Sequence, residues 1–305
     1  MASRESLTGV ARTALGMARV RAEESRRSDR LFDDPYAQAF VAAVPDPFPA
    51  EDPTAAAGRA LLGALFSFHA VVRTRFFDDY LSAATAAGCR QVVLLAAGLD
   101  ARAFRLDWPA GVRLFELDLP EMLAFKERVL AARAAVPRCH RTVVPADLRQ
   151  AWSAELIGAG FQPARATAWL VEGLLIYLSA EEAADLLSAV GALSAPASRL
   201  SLEHGTIAAS SLLARARAMP AMNQFTSLWK GGLAEDAPTW LARHGWRVEL
   251  HDHAALAASY GRPLPDSSGG GFLTAVRRAR PSDAGLEDHV PGRHHQQQQD
   301  QPHSQ

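Results

Sequence analysis

The sequence predicts a doubly wound α/β fold on a seven-stranded sheet, and three observations carry that expectation. Gln91-Val92-Val93-Leu94-Leu95-Ala96-Ala97 is a continuous apolar run ending in Gly98, the texture of a strand buried on both faces of a parallel sheet. Four further strand-like runs follow it, separated by helical patterns at intervals that suit βαβ units. The final two runs lie too close together for a full crossover helix, so they are expected to pair antiparallel.

In chain order, residues 7–44 read as helix, with Leu15, Ala18, Val20 and Ala22 set among arginines and glutamates. Asp34-Pro35 marks a break and restart within that stretch. A proline-rich loop at 45–49 precedes a second helical block, 56–87, which stops at Gly88. The strand runs after 91–97 are Arg113 to Leu117, Thr142 to Pro145, Thr167 to Val171 and Arg199 to Leu202. Glu121 to Ala135 and Ala180 to Leu193 supply crossover helices. Residues 206–235 read as an amphipathic helical insertion after the fifth strand, Asp236 to His244 as a further helix, and Arg247 to His253 and Gly271 to Arg277 as the last strands. From about residue 279 the chain turns rich in Gln, His, Pro and Asp without apolar periodicity, the composition of a disordered tail.

Composition bounds the function. The chain has 305 residues, 49% hydrophobic and 21% charged, which is globular rather than disordered or fibrous. Its 32 basic and 33 acidic side chains nearly cancel, which argues against nucleic acid or a membrane surface as a charge-driven partner. Cys89 and Cys139 are too few for a disulfide framework or a cysteine-rich zinc site, and read as free thiols in a reducing cytoplasm. The arginine-studded N-terminus has no apolar core of a signal peptide, and no stretch of eighteen apolar residues occurs, so a soluble cytoplasmic protein is expected.

Several polar residues fall at the carboxyl ends of the predicted strands, where an open α/β sheet binds its ligands. Gly98, in Ala96-Ala97-Gly98-Leu99-Asp100, lets the backbone approach a nucleotide-type ligand, or simply turns the chain. The glycines that would cradle a pyrophosphate are missing, which argues against NAD or FAD. Asp118 follows Gly98 by twenty residues, the spacing of an acid that accepts ribose hydroxyls, although a helix N-cap reads equally from Asp118-Leu119-Pro120-Glu121. Asp147 is placed either to accept from an adenine amino group or to cap a turn. Glu172 interrupts the apolar Trp169 to Tyr177, where a carboxylate needs a cationic ligand or an ion-pair partner. Together these positions suit an adenosine with a positive centre and no phosphates, the description of S-adenosylmethionine.

With those motifs in place, the chain resembles the leucine carboxyl methyltransferase family, in its bacterial S-adenosylmethionine-dependent branch. The resemblance spans about residues 8–278. It rests on Thr13-Ala14-Leu15-Gly16, Arg30-Leu31-Phe32-Asp33-Asp34-Pro35-Tyr36-Ala37, Arg73-Thr74-Arg75-Phe76-Phe77-Asp78, Ala97 to Leu106, Phe115 to Pro120, Asp147-Leu148 and Val171 to Leu178. The resemblance implies that Arg73 grips the cofactor's methionine carboxylate, with Arg75 a second candidate. It implies that Gly98 and Asp100 line the cofactor, Asp118 holds its ribose, Asp147 and Leu148 sit at the adenine, and Glu172 lies near the methionine end. Ala96 departs from the pattern, standing where many relatives have a glycine.

The resulting expectation is a class I methyltransferase with a Rossmann-like seven-stranded sheet. Residues 1–87 would form an N-terminal helical lid, 88–278 the cofactor-binding core with its insertion at 206–235, and 279–305 the tail. The expected chemistry is O-methylation of a small natural-product acceptor. A carboxylate acceptor, with an ordinary pKa near ~4, is already ionised and needs no base; a phenol or alcohol would require one, and His204 at the rim of the fifth strand is the candidate, or else an ordinary loop residue. A non-catalytic protein that keeps the cofactor pocket is the other alternative. Tyr36, Tyr177 and Trp229, with His204, are candidates to line the acceptor pocket. His251 and His253 alternate on a predicted strand and could share a metal, but no third ligand is identifiable, and no metal is expected.

Overall fold

The computed structural model describes residues 9–44, 56–204, 214, 216–218, 223–262 and 270–279. The proline-rich loop, residues 206–213, 215 and 219–222 of the predicted insertion and nearly all of the tail therefore lie outside the described residues. Three helices lead, α1 (Gly9–Ser25), α2 (Ala37–Ala42) and α3 (Ala56–Ala86). The sheet then alternates with helices: β1 (Gln91–Leu95), α4 (Arg102–Arg105), β2 (Arg113–Asp118), α5 (Pro120–Ala132), β3 (His140–Pro145), α6 (Trp152–Gly158) and β4 (Thr167–Val171). It continues with α7 (Ala180–Ala192), β5 (Arg199–His204), a single turn Asn223–Thr226, α8 (Ala237–Arg243), β6 (Trp246–Asp252), α9 (His253–Ser259) and β7 (Gly271–Arg277).

The seven strands lie in the order β3-β2-β1-β4-β5-β7-β6. The first five are parallel, and β7 inserts antiparallel between β5 and β6. Every residue of β1 and of β4 is buried, as the unbroken apolar runs require of central parallel strands. Strand order reverses between β1 and β4, which opens a crevice at their carboxyl ends. Two helical layers bury the two faces. On one face, residues of α1, α2, α3, α5 and α9 pack with Val92, Leu94, Leu114, Ala168 and Leu170. On the other, residues of α6, α7 and α8 pack with Val93, Leu95, Phe115, Trp169 and Leu202.

The last strand pair differs in detail from the sequence reading. β6 ends at Asp252, whose side chain caps α9 by accepting from Ala255 N at 2.8 Å. His253 therefore opens a helix instead of closing a strand. His251 bonds Thr274 Oγ1 at 3.0 Å, while His253 turns to His69, so the two histidines do not converge on one point. Among the described residues, no group of three or more metal-ligating side chains forms. Among them too, no helix is long and apolar enough to cross a membrane.

The N-terminal helices share the core of the sheet. Leu15 and Ala18 of α1 and Phe40 of α2 are fully buried in the cluster that holds Phe76, Phe77 and Leu81 of α3. Arg21 ties α1 to the loop after β1, donating to Leu99 O at 2.7 Å while pairing with the buried Asp34 at 2.9 Å. The expected boundary at 87/88 falls at the end of α3, whose inner face packs on the strands and whose Tyr80 hydroxyl donates to Trp169 O at 3.0 Å. Leu15→Ala should consequently destabilise the whole protein by about 2–5 kcal/mol, the range for truncating a packed core leucine. Denaturant unfolding checks this; a midpoint shift near zero would mean that α1 rides on the core without contributing to it.

Candidate functional site

The candidate site gathers residues from the loops after β1 and β4, the ends of β2 and β5, and helices α3 and α4. β1 ends in a turn in which both Ala96 and Gly98 adopt left-handed backbone, with φ of 55° and 46°. That turn aims Gly98 N at Asp118, the last residue of the neighbouring β2; Asp118 Oδ2 accepts from Gly98 N at 2.6 Å and Oδ1 from Leu119 N at 2.7 Å. The expected N-cap role is not what its bonds show, because the residue flanking α5 is Leu119 and Asp118 bonds only that residue's N–H. Each carboxylate oxygen keeps a second lone-pair direction for another donor. Burial pushes the Asp118 carboxyl up from its ordinary range, against the two backbone donors that pull it down.

Beside this turn lies a chain of ion pairs. Arg102 on α4 is 3% exposed and donates from Nε to Asp78 Oδ1 at 2.6 Å and from Nη1 to Glu172 Oε2 at 2.7 Å. Its Nη1 also pairs closely with Asp100. Arg105, one helical turn on, forks both oxygens of Asp78 at 2.6 and 2.7 Å. Glu172, just past β4, also stands 3.0 Å from Arg73 Nε, and Arg73 Nη1 donates to Glu203 Oε1 at 2.7 Å. Burial pushes Asp100 up, but Arg102, then Lys126 and Arg105, outweigh it and hold the carboxyl down at about 2. Glu172 is likewise raised by burial and lowered further by Arg102 and Arg73.

Four carboxylates, Asp78, Asp100, Glu172 and Glu203, thus face three guanidiniums, leaving the chain one negative charge in excess. Arg73 is not fully served by these partners. Among the described residues, its Nε is buried without an aligned hydrogen bond, and its Nη2 meets only the thioether of Met17 at 3.3 Å. Gly173 follows Glu172 with φ of 63°, and its N–H donates to Glu203 Oε2 at 2.6 Å; a Cβ there would stand 3.4 Å from Arg73 Nη1.

The structure thus brings Arg73, Asp100 and Glu172 into one network and sets Gly98 and Asp118 against each other beside it. Asp147 lies beyond β3 in a turn of its own, held low by the Arg149 side chain that bonds it. Leu148 is buried in the cluster with Leu95 and Val171. Arg75 turns to Asp79, at 3.0 Å, and to Leu31 O, away from the network. Tyr177, in the turn Leu175–Tyr177, lies close enough to Arg73 to sense its charge. Tyr36 instead packs against Phe104, with ring centres 5.5 Å apart, and Trp229 packs with Leu65, Phe66 and Ala216. His204 ends β5, where burial lowers its pKa.

Sequence reasoning gave no role to Asp78, Arg102, Arg105 or Glu203. Asp78 and Arg102 lie among other charges in the sequence, so neither carried the signal that singled out Glu172, a lone charge within an apolar stretch.

Residues 14–191 match the leucine carboxyl methyltransferase family. The chain belongs to that family. A relative in Parafrankia sp. is 54% identical over 271 residues, covering 88% of this chain and 87% of its own; it carries the provisional name S-adenosyl-L-methionine-dependent methyltransferase. One from Streptomyces coelicolor with the same provisional name is 46% identical over 279 residues, covering 89% and 96%. The fold is also that of a DUF574-family protein crystallised from Streptomyces avermitilis, with a TM-score of 0.54, 18% identity, and coverage of 83% of this chain and 97% of that one.

In this family member Ala96 occupies a left-handed conformation that costs a side-chain-bearing residue about 1–2 kcal/mol. Ala96→Gly should raise stability by about 1 kcal/mol without altering the slope of denaturant unfolding. A lowered midpoint would show that the Ala96 methyl contributes more through packing than the turn costs.

Proposed function

We propose that this methyltransferase takes its methyl group from S-adenosylmethionine and delivers it to a carboxylate oxygen of a small molecule. The observation that carries the donor assignment is the ion-pair chain at the crevice between β1 and β4, with its excess negative charge and its incompletely bonded Arg73. The donor's sulfonium and ammonium outnumber its carboxylate, so its net charge is opposite to that of the network. The relatives' names point to the same donor. When bound, S-adenosylmethionine supplies a methyl group already activated for transfer.

The chain's residues then have distinct tasks. Arg73 offers its Nε and Nη2 donors to the donor's carboxylate. Asp118 offers its remaining lone pairs to the ribose hydroxyls, with Gly98 N fixing its orientation. Leu148 and Asp147 stand toward the adenine side. Arg102 keeps Glu172 and Asp100 ionised and immobile, so the pocket holds its charge pattern without reorganising on binding.

The carboxylate reading for the acceptor rests on the weakness of the bases at hand. Asp100 and Glu172 are held below their ordinary range by arginines and accept protons poorly at neutral pH. An acceptor that arrives ionised needs none of them.

Calorimetry with S-adenosylhomocysteine tests the donor site. The protein should bind it and not NAD, and Asp118→Ala should lose about 2–4 kcal/mol of that affinity, since hydrogen bonds to a charged group contribute about 1.5–3 kcal/mol each and do not add fully. A variant that binds normally but melts much lower would reduce Asp118 to a structural role. Labelled methyl transfer to a panel of small acids and phenols tests the acceptor. Methyl esters formed at a rate level between pH 5.5 and 8 are expected; phenol ethers formed at a rate that climbs below about pH 6.5, the ordinary histidine value from which burial lowers His204, would contradict the carboxylate reading.

A further inference from the structure

β5 brings a second carboxylate to Arg73, and its geometry is unlike that of the first. Glu203 Oε1 accepts from Arg73 Nη1 at 2.7 Å, and Glu203 Oε2 accepts from Gly173 N at 2.6 Å. One side chain thereby pins both the guanidinium and the left-handed turn that follows Glu172. Glu172 Oε1 lies 3.0 Å from Arg73 Nε but out of line for a hydrogen bond, because its Oε2 is taken by Arg102. Arg73 Nη2 has only the sulfur of Met17 at 3.3 Å, a weak acceptor. The guanidinium is thus hydrogen-bonded firmly at Nη1, while Nε has an unaligned ion pair with Glu172 and Nη2 the Met17 sulfur.

The hold of Glu203 fixes the plane of the guanidinium. A planar carboxylate makes two parallel N–H bonds only with a guanidinium kept in a matching orientation.

We propose that Glu203 is a positioning residue that, by holding Arg73 Nη1 and the Gly173 N–H together, sets the orientation in which the guanidinium meets the amino-acid carboxylate of the methyl donor. The role rests on the donor reading above. It makes Glu203 a determinant of specificity, since the donor's amino-acid tail is recognised only while the guanidinium is held in this orientation. Gly173 is part of the device: its lack of a side chain lets the turn bring its N–H to Glu203 beside the guanidinium.

The test compares two ligands that differ in the amino-acid portion, S-adenosylhomocysteine, which has the carboxylate, and 5′-methylthioadenosine, which lacks it. Both are titrated by calorimetry into the wild-type protein, Glu203→Gln and Glu203→Ala, with thermal melts recorded for each. Glu203→Ala should weaken S-adenosylhomocysteine roughly tenfold, the scale of one charge-assisted hydrogen bond lost. Glu203→Gln, whose amide oxygen can still accept from Nη1, should weaken it less and serves if the alanine variant fails to fold. Binding of 5′-methylthioadenosine should stay within about twofold in both, as its contacts do not include Arg73. Equal losses for the two ligands would overturn the proposal in favour of a purely structural role. Tighter binding of S-adenosylhomocysteine in either variant would overturn it by showing that Glu203 competes for Arg73. Wild-type protein that binds neither ligand would defeat the donor reading itself, and this role with it; wild-type protein that binds both equally would defeat only the grip of Arg73 on a carboxylate.

Discussion

The guanidinium of Arg102 is where the architecture and the site meet. It is almost completely buried, and its donors reach Asp78 on α3, Asp100 after β1, Glu172 after β4 and the carbonyl of Thr74. Three segments distant in sequence are tied at one point, directly over the crevice where the strand order reverses. A buried charge of this kind stabilises only while its partners are complete; removing one member of a buried pair costs about 3–5 kcal/mol, because the survivor is left without compensation. The same requirement fixes the neighbours. Asp78 must also satisfy Arg105, and Glu172 must face Arg73 with its other oxygen. The shape of the pocket floor follows from the need to leave no charge unpaired.

Above that floor the chain departs from full pairing in a limited region. Arg73 has one firm partner and two weak ones, and Asp118 has lone pairs to spare. Incomplete satisfaction of buried polar groups is costly, so it persists where a ligand completes it. The N-terminal helices contribute from the opposite side: Met17 supplies the thioether against Arg73, and Arg21 holds the carbonyl of Leu99 in the turn after β1. Because α1 also places Leu15 and Ala18 in the core, the helix that brings Met17 to Arg73 is continuous with the packing that holds the sheet together.

Much of this was legible in the sequence, for physical reasons that differ by element. The central strands were plain because a strand buried on both faces must be apolar throughout, as β1 and β4 are. The antiparallel end of the sheet followed from the short spacing of its last two runs. The shift of one residue at His253 was hidden because His251 and His253 mimic strand alternation, while the stronger signal, Asp252 as a helix cap, lies between them. At the site, Glu172 stood out as a lone carboxylate in an apolar run. Asp78 did not, since Arg73, Arg75 and Asp79 surround it in the sequence; in the structure Asp78 turns inward to two arginines while Asp79 meets Arg75 and Tyr260. Which arginine answers which acid is a matter of tertiary placement, and no local pattern encodes the meeting of Arg73 with Glu203, 130 residues apart.

The rest turns on the incompletely hydrogen-bonded Arg73 and the remaining lone pairs of Asp118 being two ends of one ligand site. A crystal structure of the protein with S-adenosylhomocysteine bound measures this directly. The expected result is a single molecule spanning the crevice between β1 and β4, its ribose hydroxyls on Asp118 and its amino-acid carboxylate on Arg73, with Arg102 and its three acids unmoved. A nucleoside seated elsewhere, or one whose carboxylate is held by other residues while Arg73 stays paired as it is here, would contradict it.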